Sequence, residues 1–153
     1  MKKLLFLPLF ALMAFILPSC SDDDNTPGGG GETIETTTSY NGKLIGNGSY
    51  VKDSTKCYIK FAKDNKSLTL SIDKAKFAEG MPDMDITIPE IPATVNDEDI
   101  TFSGDTIVPL MGEIPFPGVT FYNIDGEIKD GELKFSAVCT RGFFTFSGKE
   151  VVE

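Results

Sequence analysis

The sequence predicts an all-β domain that follows an N-terminal targeting segment and a tether. Apolar and polar residues alternate in several runs, such as Cys57, Ile59 and Phe61, and a period of two is typical of strands with one buried face. Turn formers separate the runs, and Asp130-Gly131 between two of them indicates a hairpin. Short strands joined by tight turns favour an antiparallel meander, which either closes into a barrel or packs as a sandwich.

Residues 1–19 are interpreted as a signal peptide. Lys2 and Lys3 supply its positive start, and the apolar run 4–17 is too short to span a bilayer comfortably as a helix. A cleaved secretory signal with an incidental cysteine is one interpretation. The L-P-S-C sequence at 17–20 resembles the bacterial lipobox, however, and this resemblance implies diacylation of Cys20 and cleavage after Ser19. Several acyl chains on one residue would anchor the protein stably to a membrane.

Residues 20–39 are expected to form a tether between the lipidated cysteine and the domain. Its start, Ser21, Asp22, Asp23 and Asp24, resembles the lipoprotein export signal of Bacteroidetes, which implies display on the outer face of the outer membrane. An acidic, solvated linker explains the same residues, and both interpretations can hold. Four consecutive glycines follow, and residues 25–39 have too little apolar surface to order themselves.

The domain is expected over residues 40–153, beginning with two strands around Cys57–Phe61 and Leu68–Ile72 that flank the turn at Lys63–Lys66. Residues 74–80 are the one stretch that could support a helical turn. Residues 81–118 are predicted to form the mouth of a barrel or a flap over it. Proline cannot donate to a β-ladder, so four prolines there belong at strand ends, bulges or edges: Pro89, Pro92, Pro115 and Pro117. Two more alternating runs follow, Leu133–Cys139 and Phe144–Phe146.

A series of short motifs resembles the Bacteroides calycin-like domain. They occur in the order Y-N-G (40–42), F-A-E-G-M (77–81), I-T-I-P-E-I-P-A-T-V-N (86–96), I-T-F-S-G (100–104), G-E-I-K-D-G-E-L-K-F-S (126–136) and F-T-F-S-G-K (144–149). The resemblance covers nearly all of residues 40–150. It implies a small antiparallel up-and-down barrel, related in shape to lipocalins, in lipoproteins of gut Bacteroidetes. It brings no catalytic motif or ligand set.

Composition disfavours several classes of function. The chain has no His, which removes the usual general base near neutral pH and the commonest metal ligand. Its net charge is −9, and a polyanion is repelled by phosphate backbones, so we expect no nucleic-acid partner. We expect no enzymatic activity and no cofactor.

Carboxylates are plentiful, but their pattern does not define a site. Asp83 and Asp85 would face the same way on a strand, close enough to raise the pKa of one carboxyl, but a glycosidase-like acid also needs burial and a cleft. The run Asp97–Asp99 offers oxygen ligands without the spacing of an EF-hand loop. Solvated turns are the favoured interpretation for both groups, and no metal site is predicted.

Cys57 and Cys139 both fall on the apolar phase of their strands and should point inward. An oxidising envelope compartment permits a disulfide between them. Buried free cysteine is an equally ordinary core residue. Bridging requires Cα atoms within about 7 Å, which sequence cannot establish, so both states stay open.

The many phenylalanines suggest either a packed interior or a ligand cavity. A cavity between the barrel and the flap would be lined by five rings: Phe61, Phe77, Phe102, Phe121 and Phe135. The first hypothesis is therefore a non-enzymatic, lipid-anchored module of the outer membrane that faces the cell exterior and binds a small apolar or amphipathic ligand. The alternative is a structural or protein-interaction module with a packed barrel.

Overall fold

The computed structural model describes residues 36–96, 99–140 and 142–152. Within these ranges there is no α-helix, and hence none long and apolar enough to cross a membrane. Ten strands account for most of the described residues: β1 (Thr37–Gly46), β2 (Tyr50–Phe61), β3 (Ser67–Ala75), β4 (Met84–Asn96), β5 (Asp99–Gly104), β6 (Leu110–Met111), β7 (Ile114–Pro115), β8 (Phe121–Lys129), β9 (Glu132–Cys139) and β10 (Gly142–Glu150).

Eight strands form a closed antiparallel barrel. The order is β1-β2-β3-β4-β5-β8-β9-β10, and β10 pairs with β1 to close the sheet. Each wall strand therefore pairs with the wall strand before it in the chain. The small β6–β7 hairpin is inserted between β5 and β8, and it joins β4 through Thr87 and Leu110. The predicted all-β, up-and-down barrel is confirmed, and the sandwich alternative is wrong. Closure pairs each of the eight wall strands on both sides, so none of these eight is an edge strand.

Strand alternation produces the barrel interior, as the sequence predicts. In β9, Leu133, Phe135, Ala137 and Cys139 are buried while the residues between them face outward. The Asp130-Gly131 hairpin is also confirmed, since both residues have positive φ (50° and 71°) between β8 and β9. This conformation matches the twist of the flanking strands.

Phenylalanine rings fill much of the barrel interior. Phe135 contacts Phe144 edge-on at 5.9 Å between centroids and stacks on Phe146 at 5.4 Å. Phe102 lies 6.5 Å from Phe135, and a Cβ on Gly126 would overlap the Phe102 ring. Gly126 is the register partner of both Phe102 and Phe135. The absence of a side chain at Gly126 thus lets the Phe102 ring lie across β8.

The prolines of the middle segment occupy positions where a missing N–H is tolerated. Opposite β3, Leu70 pairs with Ile88 and Leu68 with Ile91, so Pro89 and Glu90 form a bulge in β4. Glu90 has a φ of 53°, as an irregular position requires. The bulge keeps the isoleucines on both of its sides in the core.

The predicted flap is shorter in the structure. Residues 84–96 and 99–104 are wall strands, because Ile86, Ile88, Ile91 and Phe102 are buried in the barrel. The flap is therefore restricted to residues 105–120, which include β6 and β7. Residues 76–83 form an irregular loop between β3 and β4 without a helical turn.

The two ends of the barrel carry different turns and loops. The N-terminal end holds the start of β1 at Thr37, the end of β10 at Glu150, and the turns at 62–66 and 130–131. We call the other the flap end; there lie the turn at 47–49, the loop 76–83 and the flap. β1 begins at Thr37 rather than at residue 40, because Thr37–Ser39 pair with Tyr58–Lys60 of β2.

Candidate functional site

A cavity of about 270 Å³ lies at the flap end of the barrel. Two irregular segments, the loop 76–83 and the end of the flap, form its sides, and strand residues form its floor. The side chains of its lining residues are hydrocarbon apart from three sulfur atoms: Phe77, Met81, Pro82, Met84, Ile86, Phe116, Val119 and Cys139.

The loop 76–83 is held against the barrel by close packing and by polar contacts on its outer side. A Cβ on Gly46 would overlap the carbonyl oxygen of Phe77, so the glycine allows the loop to approach β1. Lys52 donates from Nζ to the carbonyl oxygen of Lys74 and to Asp83 Oδ1, the latter at 3.0 Å. Asp85 Oδ1 accepts from the amide of Lys74 at 2.8 Å. These contacts fix one wall of the cavity.

The flap is attached at its two ends and has little support between them. The amides and carbonyls of Ile107 and Phe121 exchange two hydrogen bonds, at 2.8 and 2.9 Å. The Phe116 amide donates to the carbonyl of Pro109 at 2.8 Å, which closes the hairpin over β6 and β7. The tip is exposed, and Ile114 is 72% accessible. The tip is therefore the part of the flap that should open most easily.

The cavity favours a neutral guest. None of its lining residues carries a charge or a side-chain oxygen or nitrogen. The nearest carboxylates along the chain, Asp83 and Asp85, have hydrogen-bond donors outside it. An ionised group placed inside would lose its hydration without gaining a partner, which is costly.

Of the five rings expected to line a cavity, Phe77 does so. Phe102, Phe121 and Phe135 are buried in the packed interior instead. Phe102 lies near Phe135, and both Phe121 and Phe135 meet the Phe144 ring edge-on. Phe61 ends β2 at the N-terminal end, partly buried against the core. Four rings of that prediction are therefore packing residues.

The other lining residues were not identified from the sequence as a group. Met81, Pro82, Met84, Ile86 and Phe116 do fall in the segment 81–118, whose apolar content predicted burial against the barrel end or a guest. The sequence does not show which side chains of that segment face the cavity. The sequence predicts Cys139 either as a disulfide partner or as a buried free cysteine of the core, and not as a cavity residue.

Cys57 and Cys139 are buried free thiols rather than a disulfide. Two strands, β1 and β10, lie between them in the sheet. The register places Cys57 level with Tyr40 and Glu150, at one end of β10, and Cys139 level with Gly142 at the other. With strands about 4.8 Å apart, this separation far exceeds the reach of a disulfide. Burial, with a smaller contribution from Asp73, raises the pKa of the Cys57 thiol far above its usual range.

The carboxylate hypotheses find no support among the described residues. Within those ranges no three His, Cys, Asp or Glu side chains are grouped to hold a metal ion. Asp99 forms an ion pair with Lys129 at 2.6 Å, and both side chains are about half exposed. Asp97 and Glu98 lie outside the described residues, as do the predicted lipidation site Cys20 and the predicted export signal Ser21–Asp24.

A larger depression of about 570 Å³ lies on the outer wall, but it is a weaker candidate. It is open to solvent across β1, β10, β9, β8 and β5, and its walls mix charges of both signs, including Lys43, Glu127 and Lys134. Lys134 forms an ion pair with Glu132 at 2.9 Å. Ligand sites are usually concave and mostly apolar, which favours the cavity at the flap end.

Known proteins add no functional assignment to this geometry. No family model, curated protein or solved structure matches the chain. The barrel is compatible with a calycin-like fold, while membership of the Bacteroides calycin-like family stays a prediction from the motifs. Function is therefore inferred from the cavity and its surroundings.

Proposed function

We propose that the barrel is a non-enzymatic binding module for a small, neutral, apolar ligand, carried by a lipoprotein of the bacterial outer membrane. The observation that supports this most directly is the cavity between the loop 76–83 and the flap, which is lined by apolar side chains. Its volume of about 270 Å³ corresponds to roughly nine water-sized groups at about 30 Å³ each. The guest is therefore a compact hydrocarbon group rather than a long lipid.

The position of the cavity fits a tethered module. The described chain begins next to Thr37, at the N-terminal end of the barrel, and the cavity is at the opposite end. If Cys20 carries lipid, the anchor is connected to the barrel through Thr37, at the end opposite the cavity.

Ligand binding can be tested with N-phenyl-1-naphthylamine, a neutral dye whose fluorescence rises in apolar surroundings. Val119→Trp would fill the cavity, whereas Val138→Trp places the same side chain on the outer wall, where Val138 is 40% exposed. We expect the native protein and V138W to bind the dye and V119W to lose binding. Saturation at a hundredfold excess over Kd should add about 2.7 kcal/mol to the stability.

Equal dye binding by V119W and V138W would contradict a site at the flap end. Circular dichroism and thermal unfolding of both variants establish that each is folded. The proposal would also be contradicted if the native protein did not increase the fluorescence of the dye, since an apolar cavity of this size should admit it.

The proposed membrane anchor depends on Cys20. Cys20→Ala should abolish metabolic labelling by a radioactive fatty acid and release the domain from membranes. Cys57→Ala is the matched control, because Cys57 lies in the barrel core. Continued labelling of C20A would contradict lipidation at this residue.

Surface display is proposed from the acidic run. Replacing Asp22, Asp23 and Asp24 by Ala should lower cleavage by protease added to intact cells while the total amount of protein stays similar. Unchanged cleavage would leave the run as a spacer.

A packed interaction module is the second candidate function, and the outer wall supports it. Tyr122 pairs with Val138, and Val138 pairs with Phe143, so three large apolar side chains form a row across β8, β9 and β10. All three are more than a third exposed. The dye experiment separates the candidates, because a protein that acts only through this wall binds no neutral dye at Val119.

A further inference from the structure

Three sulfur-bearing side chains line the cavity at the flap end: Met81, Met84 and Cys139. The described part of the chain has five such residues, and the other two, Cys57 and Met111, lie elsewhere. Most of the described sulfur therefore lines one small cavity.

The three residues reach the cavity from different elements. Met81 is in the loop 76–83, Met84 is the first residue of β4, and Cys139 is the last residue of β9. Met81 and Met84 are partly buried against the core, and Cys139 is 7% exposed. The thioethers are on long, adaptable side chains, which can adjust their sulfur positions around a small guest.

The donor set is soft and has no hard competitor. The remaining lining residues, Phe77, Pro82, Ile86, Phe116 and Val119, offer no side-chain nitrogen or oxygen. Thiolate and thioether ligands select Cu(I), whereas carboxylate, carbonyl and water ligands suit harder cations. Such a cavity discriminates against magnesium and calcium by the chemistry of its walls.

We propose that Met81, Met84 and Cys139 form a binding site for one Cu(I) ion. The Cys139 thiol loses its proton to solvent when the metal binds, since a coordinating thiol is deprotonated. One thiolate and one monovalent cation make a neutral centre, which is compatible with apolar walls, whereas a divalent ion would leave a net positive charge there. No electron transfer is involved.

The ordinary alternative is that Met81, Met84 and Cys139 serve as apolar packing residues. Leucine conserves most of the volume of methionine and lacks its sulfur, so Met→Leu substitutions distinguish coordination from packing. The same substitutions separate this proposal from the apolar-ligand proposal, which concerns the same cavity but does not require sulfur. M81L/M84L should lose affinity for Cu(I) while the metal-free barrel stays folded.

The test is an anaerobic titration of the reduced protein with Cu(I), in competition with the chelator bicinchoninate. We expect one Cu(I) per chain, with affinity reduced at least about a hundredfold in Cys139→Ser and at least about tenfold in M81L/M84L. Cys57→Ser and Met111→Leu are the controls and should bind as the native protein does.

Unchanged Cu(I) affinity in M81L/M84L or in C139S would overturn the proposal, as would loss of binding in C57S. Thermal unfolding of every metal-free variant checks that the barrel is intact. Dye binding by the metal-free native protein, measured in the presence of the chelator, tests the apolar-ligand proposal separately.

Discussion

Phe144 connects the packed interior to the wall of the cavity. Its ring stacks on Phe77 with 4.4 Å between centroids, and it meets Phe121 and Phe135 edge-on at 5.5 and 5.9 Å. Aromatic pairs of this kind contribute about 0.5–1.5 kcal/mol beyond the area they bury. The Phe144 ring of β10 thus couples the loop 76–83 to rings of two other elements, β8 and β9.

Phe77→Ala should destabilise the fold by about 3 kcal/mol or more, because it removes a buried ring and its stack on Phe144. It should also enlarge the cavity and change its selectivity for ligands. Phe143→Ala is the matched control, since Phe143 is 48% exposed and should change the stability by little. Urea unfolding measures the stability of both variants. Equal losses of stability would contradict a special contribution of Phe77 to the packing.

Tyr40 should make the fold sensitive to alkali. Burial, with a smaller contribution from Glu150, raises the pKa of its phenol to about 12, above the ordinary 10.0. The folded state therefore holds the proton more tightly than the unfolded chain does. The resulting stability is fully present below about pH 10 and is lost as the pH rises towards 12.

Urea unfolding of the native protein and of Tyr40→Phe, at about pH 9 and about pH 11.5, measures this contribution. The native protein should lose more stability across that interval than Y40F, which lacks the titrating group. Parallel losses in the two proteins would contradict a raised pKa of Tyr40.

At the scale of elements, the wall and the flap differ in how their backbones are paired. Central wall strands such as β9 have hydrogen-bonded neighbours on both sides. In the flap, β6 and β7 are two residues each, and a single register pair joins β6 to β4. Local opening costs little free energy where few hydrogen bonds and few buried contacts must break.

Amide hydrogen exchange should therefore be fast at residues 111–114 of the flap tip and slow in β9, where it requires opening of the barrel. Saturation with the dye should slow exchange around Phe116 and Val119, which line the cavity, while the middle of β9, around Phe135, stays unchanged. Equal protection of flap and wall, measured by mass spectrometry, would show that the flap is as stable as the barrel.

The β8–β9 hairpin allows the cost of a turn conformation to be measured without a packing effect. Gly131 has a φ of 71°, and a Cβ there would meet its nearest atom, Glu150 Oε2, at 3.9 Å. Gly131→Ala should cost about 1 kcal/mol, from roughly 1–2 kcal/mol for the left-handed conformation less a gain from reduced freedom in the unfolded chain. Ser136→Ala on the exposed face of β9 is the control, and an unchanged G131A would contradict the turn conformation.

At the scale of the whole molecule, closure between the first and last strands holds the barrel together. Tyr40 pairs with Glu150 of β10 and with Cys57 of β2, and the amide of Val151 donates to the carbonyl of Ser39 at 2.9 Å. The N-terminal part of β1 therefore pairs with both neighbouring strands, β2 and β10.

A chain that begins at Thr36 should fold alone and unfold cooperatively, with a β-rich circular dichroism spectrum. A chain that begins at Asn41 lacks Tyr40 and the pairing of Thr37–Ser39, and it should be less stable by at least about 2 kcal/mol. Removal of Val152 and Glu153 is the control, because Val152 is 88% exposed. Equal stability of the chains beginning at Thr36 and Asn41 would contradict a stabilising role for the N-terminal residues of β1.

The strands and their inward faces could be predicted from the sequence because the signals are local. Alternation in Leu133–Cys139 sets which residues face inward, and Asp130-Gly131 specifies its turn through backbone conformation alone. The missing N–H of Pro89 predicts a strand end, a bulge or an edge, and the structure has a bulge there. Each of these properties depends on residues that are neighbours in the chain, so no distant contact is needed to establish it.

The site was decided by tertiary structure, because its residues are far apart in the chain. Met81 and Cys139 line one cavity only after the barrel closes, and closure also places Cys57 out of reach of Cys139. Phe77 and Phe135 were both predicted to line a cavity in the barrel, but a local pattern does not give position along the barrel axis. Phe135 meets other rings in the middle and packs, whereas Phe77 lies at the open end, where the flap leaves space. Local pattern thus determined the wall of this protein, and the three-dimensional stacking of large side chains decided where a ligand could enter it.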